Sequence, residues 1–378
     1  MYTDPKLLLI GMGNIGRYIA PCYYGVTGQQ AAANILAVKS SPRDLDQLRQ
    51  RFPFPIRGDG DAAAALEQME PDVILLAVPP HQIPQLVQEQ LKPYYQRCAA
   101  GGRKPPVIYS YAPAPAVTWF RDLLGPQVLA ANIIPNMVDY AHGIYLASIT
   151  HNMVTLDQRA DWPQEDKEFL ERFLAPQGLY LNCPADTVHA VLAAKITSHR
   201  IYELCLGMSR AFTAAGQPVS HQQLAETGRA YLRSRFDSFE PDIWHCSPAA
   251  TPARLRPFVD QVLRGWYDGV WQQCFELGVD SYANGRFNRG MFQLHLLTVQ
   301  VEDEATLEQN TRNHSTPGGM QEDSLRAYEQ LAAADLYQAA QDWVNQRPDP
   351  SFAARWQGYA AALVARTTEL GQKVDKKK

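Results

Sequence analysis

A glycine-rich turn near the start of the chain constrains the fold more than any other feature of the sequence. The apolar run 6–10 has the length of a β-strand, and a helix-like segment begins at Arg17. Between them the glycines follow the spacing G-x-G-x-x-G, in which the first makes a tight turn, the second admits a pyrophosphate and the third lets helix and strand pack. The segment therefore predicts a dinucleotide-binding unit whose helix N-terminus holds the phosphates. We expect the cofactor contacts of this turn to be Gly11, Gly13, Asn14, Ile15 and Gly16.

The first half of the chain continues with the alternating strands and helices of an α/β domain. Helix patterns occupy 81–95 and 164–174, and apolar runs of strand length recur at 34–38, 72–80, 105–113, 127–136, 143–148 and 178–183. The fully apolar run 72–80 is typical of a central parallel strand. Ligands of such sheets bind beyond the carboxyl ends of the strands. We therefore expect further cofactor contacts from Ala77, Val78, Pro79 and Asn136.

The residues after the second strand bear on which dinucleotide is bound. A site specific for NAD places Asp or Glu there to hold the ribose hydroxyls, but the first carboxylate here is Asp44. Lys39, Ser40, Ser41 and Arg43 come before it, and hydroxyls and cations suit the 2′-phosphate of NADP(H). The alternative is a solvated turn that is basic by chance. We predict that Ser40, Ser41 and Arg43 bind NADP(H), with NAD(H) as the second possibility.

Composition excludes several classes of protein. The 378 residues are 46% apolar with a net charge of -4, so we expect two globular domains and no nucleic-acid partner. Six cysteines occur without a C-x-x-C or Cys/His ligand spacing, which argues against a metal site and a disulfide framework and for a reducing compartment. With no signal-peptide pattern and no apolar run long enough to span a bilayer, we expect a cytoplasmic protein without a membrane partner.

The hydrophobic period changes to 3.6 residues in the second half of the chain. One apolar-periodic segment runs from about residue 186 to Gly216, and helices are predicted at 220–236, 252–278, 305–313, 321–345 and 350–371. We therefore predict a Rossmann NADP-binding domain at 1–184 and an all-α dimerisation and substrate domain at 185–378. The turn Pro317-Gly318-Gly319 interrupts the helices and leaves backbone N–H groups exposed.

The motifs, taken in order, resemble those of the pyrroline-5-carboxylate reductase family. The family's G-x-G-N-M-G, D-V-I-x-x-A-V-K-P, R-x-M-P-N, E-x-x-x-H-x-V and S-P-G-G-T-T are similar to GMGNIG, DVILLAVPP, NIIPN, ADTVHAV and STPGGMQ here. There are departures. Pro79 replaces a lysine, Asn132 an arginine, and Met320 and Gln321 the paired threonines. The chain is also longer than family members, with most of the excess between 235 and 299.

The resemblance implies an enzyme that transfers hydride from NADP(H) to the C=N bond of a small carboxylated imine. It implies a homodimer with interleaved helices, and it places the substrate carboxylate on the glycine loop. Backbone N–H groups of such a loop form a nest for an anion. The substrate residues that it implies are Ser315, Thr316, Gly318 and Gly319.

Lys195 and His199 are the candidate catalytic residues, because they stand at i,i+4 on one predicted helix, with Tyr202 a turn further on. A protonated imine needs little acid catalysis, whereas a ketone needs a proton donor. Lys195 also resembles the catalytic lysine of β-hydroxyacid dehydrogenases. A keto- or hydroxy-acid oxidoreductase that uses Lys195 is therefore an alternative, as is a non-catalytic protein that senses NADP(H). The alternative without a catalytic role is a lysine that reaches solvent beside a histidine that packs between helices.

Overall fold

The computed structural model describes residues 5–27, 33–112, 114–135, 151–175, 179–235, 251–314 and 319–376. The chain divides into two compact units, Met1–Val188 with Val374–Lys378, and His189–Lys373. The sequence predicted a boundary near Pro184. The predicted strand 143–148 lies outside the described residues, and so does the segment 236–250 between the helices predicted at 220–236 and 252–278.

The first unit is built on one eight-stranded sheet with the order β3-β2-β1-β4-β5-β6-β7-β8. The strands are β1 Leu7–Ile10, β2 Ile35–Val38, β3 Ile56–Arg57, β4 Val73–Leu76, β5 Val107–Ser110, β6 Ala130–Ile134, β7 His151–Leu156 and β8 Leu179–Asn182. Among these strands only the β6–β7 pair is antiparallel. The first six strands follow the Rossmann order 3-2-1-4-5-6. The predicted α/β fold class is confirmed.

Both faces of the sheet are covered, which explains why its central strands are apolar without alternation. Leu7 and Leu9 of β1 belong to one buried cluster, and Leu8 and Ile10 belong to another on the opposite face. The helices that follow the strands are α1 Asn14–Thr27, α2 Leu45–Arg51, α3 Ala62–Met69, α4 Ile83–Leu86, α5 Lys92–Ala100, α6 Val117–Leu124 and α7 Gln164–Leu174. A π-helical turn, Val87–Leu91, joins α4 to α5.

The second unit is helical throughout its described residues. Its helices are α8 Val188–Ser198, α9 Ile201–Ala214, α10 His221–Arg235, α11 Arg256–Glu276, α12 Ser281–Val301, α13 Glu304–His314, α14 Met320–Tyr328, α15 Ala334–Val344 and α16 Phe352–Lys376. A π-helical segment, Glu329–Ala333, separates α14 from α15. The all-α character predicted for this half is confirmed.

The structure corrects two predictions in the helical half. The segment expected to run as one helix to Gly216 breaks after Ser198, so α8 and α9 are separate helices with His199 and Arg200 between them. Gly216 ends α9 as expected, with φ +75°. Helix α12 was not predicted, because it is buried on all sides over residues 287–300 and therefore lacks an amphipathic stripe.

Candidate cofactor and substrate sites

The surroundings of the three glycines in the turn between β1 and α1 show why each position is occupied by glycine. Gly11 has φ +105°, and a Cβ there would stand 2.5 Å from the carbonyl oxygen of Ala77. A Cβ on Gly16 would overlap the carbonyl oxygen of Gly11. A Cβ on Gly13 would meet nothing within 4 Å. The packing of the turn therefore requires Gly11 and Gly16. Gly13 faces open space, where a ligand can come close to the protein backbone.

A cleft of about 590 Å³ opens at the carboxyl ends of β1, β2 and β4. Its walls come from the β1–α1 turn, the end of β2, the turn after β3, the end of β4 and the helical segment after β4. They consist of Ile10, Gly11, Met12, Gly13, Val38, Lys39, Ser40, Gly60, Ala77, Val78, Pro79, Gln82, Gln85, Leu86, Glu89 and Gln90. Helix α1 begins at Asn14, next to this cleft. The predicted contacts Gly11, Gly13, Ala77, Val78 and Pro79 are thus brought together, whereas Asn136 lies outside the described residues.

The end of β2 contributes a cation and a hydroxyl to the cleft but no carboxylate. Lys39 and Ser40 line it. Ser41 and Arg43 lie in the turn that follows, where the backbone N–H of Arg43 donates to Ser41 Oγ at 3.2 Å. The carboxylate of Asp44 pairs with Arg17 at 3.7 Å. The first acidic side chain after β2 is therefore engaged in an ion pair.

These residues fit a dinucleotide. Gly13 leaves the space that a pyrophosphate needs, the N-terminus of α1 supplies N–H groups for its charge, and the β2 end presents Lys39 where the ribose belongs. In the described part of the chain no cluster of three or more His, Cys, Asp or Glu side chains is placed to bind a metal ion. None of the described helices is long and apolar enough to cross a membrane.

In the helical unit, Lys195 lies on α8 and His199 in the turn that follows. Burial lowers the pKa of Lys195 from its ordinary value of 10.5 to about 8. His199 is buried, with its ring centroid 4.4 Å from that of Tyr202 and 5.1 Å from that of His295. The two candidates are therefore not on one continuous helix, although the helical bond from His199 N to Lys195 O persists at 3.3 Å.

The glycine loop leads into α14, with Gly319 as its N-cap residue. Ser315, Thr316 and Gly318 lie outside the described residues. Helix α14 is held to α16 by Asp323, whose two carboxylate oxygens each accept from Arg366 at 2.9 Å. The start of α14 is thereby fixed within the helical unit.

Sequence reasoning missed Arg200 as a polar anchor for this region. Its guanidinium is fully buried, and Nη2 donates to Oε1 of Gln321 at 3.2 Å. The resembled family has a threonine at the position of Gln321, so this departure from the motif could have indicated a new contact there. The position of Arg200 inside a predicted continuous helix gave no such signal, because the break that buries it depends on tertiary packing.

The comparisons with known proteins agree with this geometry. Residues 6–97 match the family described as "NADP oxidoreductase coenzyme F420-dependent". No curated protein matches the chain. Among solved structures, a pyrroline-5-carboxylate reductase from Coxiella burnetii shares 14% identity at a TM-score of 0.41, covering 92% of this chain and 99% of that one.

Other solved structures are similar to the same extent. A pyrroline carboxylate reductase from Plasmodium falciparum, solved with NADP bound, shares 11% identity at a TM-score of 0.35 over 92% of this chain and 99% of that one. A prephenate dehydrogenase from A. aeolicus, in complex with hydroxyphenyl propionate and NAD+, shares 10% identity at a TM-score of 0.38 over 90% of this chain and 95% of that one. Such remote likenesses do not define a substrate for this chain.

The fold, the glycine turn and the family match together define the class of protein. Residues 6–97 match a family of NADP oxidoreductases, so the first unit contains a nicotinamide dinucleotide-binding domain of the oxidoreductase type. The resemblance of its motifs to those of the pyrroline-5-carboxylate reductases agrees with this class of domain.

Proposed function

We propose that the protein is an NADP(H)-dependent reductase that transfers hydride to the C=N bond of a small carboxylated imine, a pyrroline-5-carboxylate-like substrate. The observation that carries the cofactor part is the β2 end, where Lys39 and Ser40 line the cleft and Asp44 is paired with Arg17. The ordered family motifs support the imine part. Ser41 and Arg43 complete the proposed 2′-phosphate site from the adjoining turn.

The bound dinucleotide would supply the hydride from C4 of its nicotinamide. The chain's own residues have three tasks: Gly13 and the start of α1 hold the pyrophosphate, Lys39 and Arg43 neutralise the 2′-phosphate, and the glycine loop with Gly319 receives the substrate carboxylate. A protonated imine already carries the positive charge that hydride neutralises. The reaction therefore requires no strong acid from the protein.

A keto- or hydroxy-acid oxidoreductase is the second candidate, and the environment of Lys195 favours it. A pKa of about 8 leaves this ammonium protonated at neutral pH but able to give up its proton. Such a group suits protonation of a developing alkoxide. His199 is the less suitable proton donor, because its Nδ1 lies 3.2 Å from the buried guanidinium of Arg200.

Cofactor preference is tested with Lys39→Ala and Arg43→Ala. We expect the parent to bind NADPH more tightly than NADH. Because a hydrogen bond to a charged group contributes about 1.5–3 kcal/mol, each variant should lose roughly tenfold or more in NADPH affinity. NADH affinity should change little. Arg51→Ala, on the exposed end of α2, is the matched control, and equal affinity of the parent for both cofactors would contradict the assignment.

The reaction is tested by following NADPH oxidation with pyrroline-5-carboxylate and with small 2-keto acids. We expect turnover of the imine, and Lys195→Met should change its kcat by less than about tenfold. A loss of about 10²-fold or more in kcat, with NADPH binding intact, would favour the keto-acid reaction instead. Tight NADPH binding without turnover of any acceptor would favour a sensor.

A further inference from the structure

The wall of the cofactor cleft that follows β4 carries polar side chains to which the proposed function gives no role. Gln82, Gln85, Leu86, Glu89 and Gln90 all line the cleft. Their spacing of i, i+3, i+4, i+7 and i+8 places them on one face of the helical segment that includes α4 and the π-helical turn. This face is therefore available to the bound cofactor.

A carboxylate is unfavourable in a cleft for a dinucleotide unless it meets a hydrogen-bond donor of the ligand. Glu89 lines the same cleft as the proposed phosphate contacts, and like charges repel. Both carboxylate oxygens of Glu89 accept from Nε2 of Gln85 at 3.2 Å, which holds the side chain along its helix. Since a carboxylate has about four acceptor sites, Glu89 can still accept a hydrogen bond from the ligand.

The side-chain amide of Gln90 has a defined orientation. Its Oε1 accepts from the backbone N–H of Ala62 at 2.7 Å, and only the oxygen of an amide can accept such a bond. The NH2 group is thereby left for the cleft that Gln90 lines. Two adjacent residues, Glu89 and Gln90, therefore offer the cleft an acceptor and a donor.

Hydrogen bonds connect Gln90 to the end of the cleft where the ribose belongs. The N–H of Ala62, which donates to Gln90, also donates to the carbonyl oxygen of Gly60 at 3.1 Å, and the N–H of Gly60 donates to the carbonyl oxygen of Lys39 at 3.1 Å. Lys39 stands at the end of β2, where this fold holds the ribose. The adenine is attached to that ribose, so the base lies within reach of Glu89 and Gln90.

We propose that Glu89 and Gln90 recognise the adenine of the cofactor, with Glu89 accepting from the N6 amine and the NH2 group of Gln90 donating to N1. This inference rests on the proposed function, because it requires the dinucleotide in this cleft, and it deepens that function by naming the residues that select the base. N6 and N1 form the edge of adenine farthest from the sugar, and they present a donor beside an acceptor. Hypoxanthine presents the reverse pattern, with a carbonyl oxygen at C6 and an N–H at N1.

The test compares dinucleotides that differ only in the base. One pair of probes is NADPH and its hypoxanthine analogue, in which oxygen replaces the 6-amino group. The other pair is NADH and its hypoxanthine analogue. The dissociation constants of the full chain for all four are measured by calorimetry. We expect the adenine form of each pair to bind at least about tenfold more tightly, because hypoxanthine places an oxygen against the Glu89 carboxylate and an N–H against the Gln90 donor.

Two variants separate the two halves of the recognition, and the ratio of affinities within a pair cancels any effect on the phosphates. Glu89→Gln should reduce the ratio to within about threefold, because its amide can rotate to donate to the C6 oxygen of hypoxanthine. Gln90→Glu keeps an acceptor for the N–H of Ala62 but replaces the donor to N1 by an acceptor. It should also reduce the ratio, because the N–H of hypoxanthine then gains a partner.

Glu168→Gln is the matched control. Glu168 lies on α7 of the same unit and accepts from Nε2 of Gln164, four residues earlier, at 3.1 Å, as Glu89 does from Gln85. Glu168 does not line the cleft, so its replacement should leave the ratio as in the parent. Thermal unfolding of each cofactor-free variant shows that it is folded. Should Gln90→Glu not fold, Glu89→Gln, at an exposed position, decides alone.

The outcomes distinguish this inference from the proposed function. The inference fails if the parent binds both members of each pair equally, or if Glu89→Gln leaves the ratio unchanged. It also fails if Glu89→Gln weakens NADH relative to NADPH without changing the ratio, since Glu89 would then hold the ribose hydroxyls of NADH. A parent that prefers NADPH to NADH but does not discriminate between the bases would overturn only this inference. A parent that discriminates between the bases but binds NADPH and NADH equally would overturn only the proposed cofactor preference.

Discussion

Identical residues in the glycine turn are required for different physical reasons. Gly16 is required by packing, since a Cβ there would overlap the carbonyl oxygen of Gly11, whereas a Cβ on Gly13 would stand in open space. We predict that Gly16→Ala destabilises the protein and that Gly13→Ala leaves the melting temperature of the cofactor-free protein unchanged. Gly13→Ala should instead weaken NADPH binding about tenfold or more, because its methyl group occupies the approach of the pyrophosphate.

Thermal unfolding with and without NADPH measures both effects. The cofactor should raise the melting temperature of the parent and raise that of Gly13→Ala less, because the stabilisation of the folded state by a ligand grows with the logarithm of its affinity. Normal NADPH affinity in Gly13→Ala would show that the turn does not approach the pyrophosphate.

Lys195 makes stability depend on pH with a definite sign. Its pKa is lowered by burial from 10.5 to about 8, so between these values the unfolded chain binds a proton that the folded chain does not. Stability therefore rises with pH across this interval, and below about pH 8 the folded state bears the cost of a partly desolvated ammonium. Because the Lys195 side chain is half-buried, we expect this cost to be small. We predict that Lys195→Met, which removes the charge, unfolds at higher urea concentration than the parent at pH 7.

The comparison of urea unfolding at pH 7 and pH 10 checks this prediction. The advantage of Lys195→Met over the parent should shrink as the pH rises, because the parent then loses the charge in its folded state. Lys92→Met, on α5, serves as the control for removal of a lysine charge. An advantage that is the same at both pH values would contradict burial of the Lys195 ammonium.

At the scale of elements, the surroundings of two glycines show where the long helices pack closely and where they do not. A Cβ on Gly269 of α11 would overlap the carbonyl oxygen of Gln357 and stand 2.8 Å from the Cβ of Ala360, both on α16. A Cβ on Gly358, also on α16, would meet nothing within 4 Å. The glycine of α11 therefore permits the close crossing of α11 and α16, and the glycine of α16 is exposed.

Alanine at these two positions should have opposite effects. We predict that Gly269→Ala destabilises by about 1–3 kcal/mol through overpacking. Gly358→Ala should stabilise by about 0.5–1 kcal/mol, because it restricts the unfolded chain at an unstrained helical position. Urea unfolding of both variants measures these changes, and a Gly269→Ala protein as stable as the parent would argue against the crossing.

Elements with a local signal were predictable, and elements defined by packing were not. Strand β1, the glycine turn and α1 form a contiguous pattern, so the sequence alone identified them. Helix α12 contains the buried polar residues Asn284, Asn288 and Gln293. In the sequence such residues are typical of a loop, and the helix forms because tertiary packing outweighs this local preference. The break at His199 and Arg200 likewise has no glycine or proline to mark it.

At the scale of the whole molecule, the cofactor cleft and the buried contacts of the helical unit differ in how well the sequence predicts them, for the same reason. The cofactor cleft is built from turns that follow strands, and the positions of these turns are fixed by the Rossmann order. The hydrogen bond between Arg200 and Gln321 joins residues 121 positions apart. No periodicity or local motif encodes such a contact, so it emerges only from the folded chain.

The exposed apolar side chains bear on the predicted association of the chain with a second copy. In the described residues the large apolar side chains that remain exposed are Phe275, Tyr282, Val301, Leu331 and Tyr337, and all belong to the helical unit. A large contiguous apolar patch marks an association surface, whereas single exposed apolar side chains are ordinary; Phe275 and Tyr282 are the two that lie at adjoining helix ends. We predict a homodimer formed through the helical unit. Stable dimers of this type bury more than about 2,000 Å², so no monomer should be seen at micromolar concentration.

Sedimentation equilibrium of the full chain tests the dimer directly. Phe275→Glu with Tyr282→Glu, at the adjoining ends of α11 and α12, should shift the equilibrium toward monomer, because a dimer would have to bury the added charges. Ala99→Glu, at an exposed position on α5 of the dinucleotide-binding unit, is the control and should leave the mass unchanged. Because the interface is expected in the helical unit alone, the double variant should keep the NADPH affinity of the parent. A compact parent monomer would refute the dimer, and a double variant that stays dimeric would place the interface away from this corner.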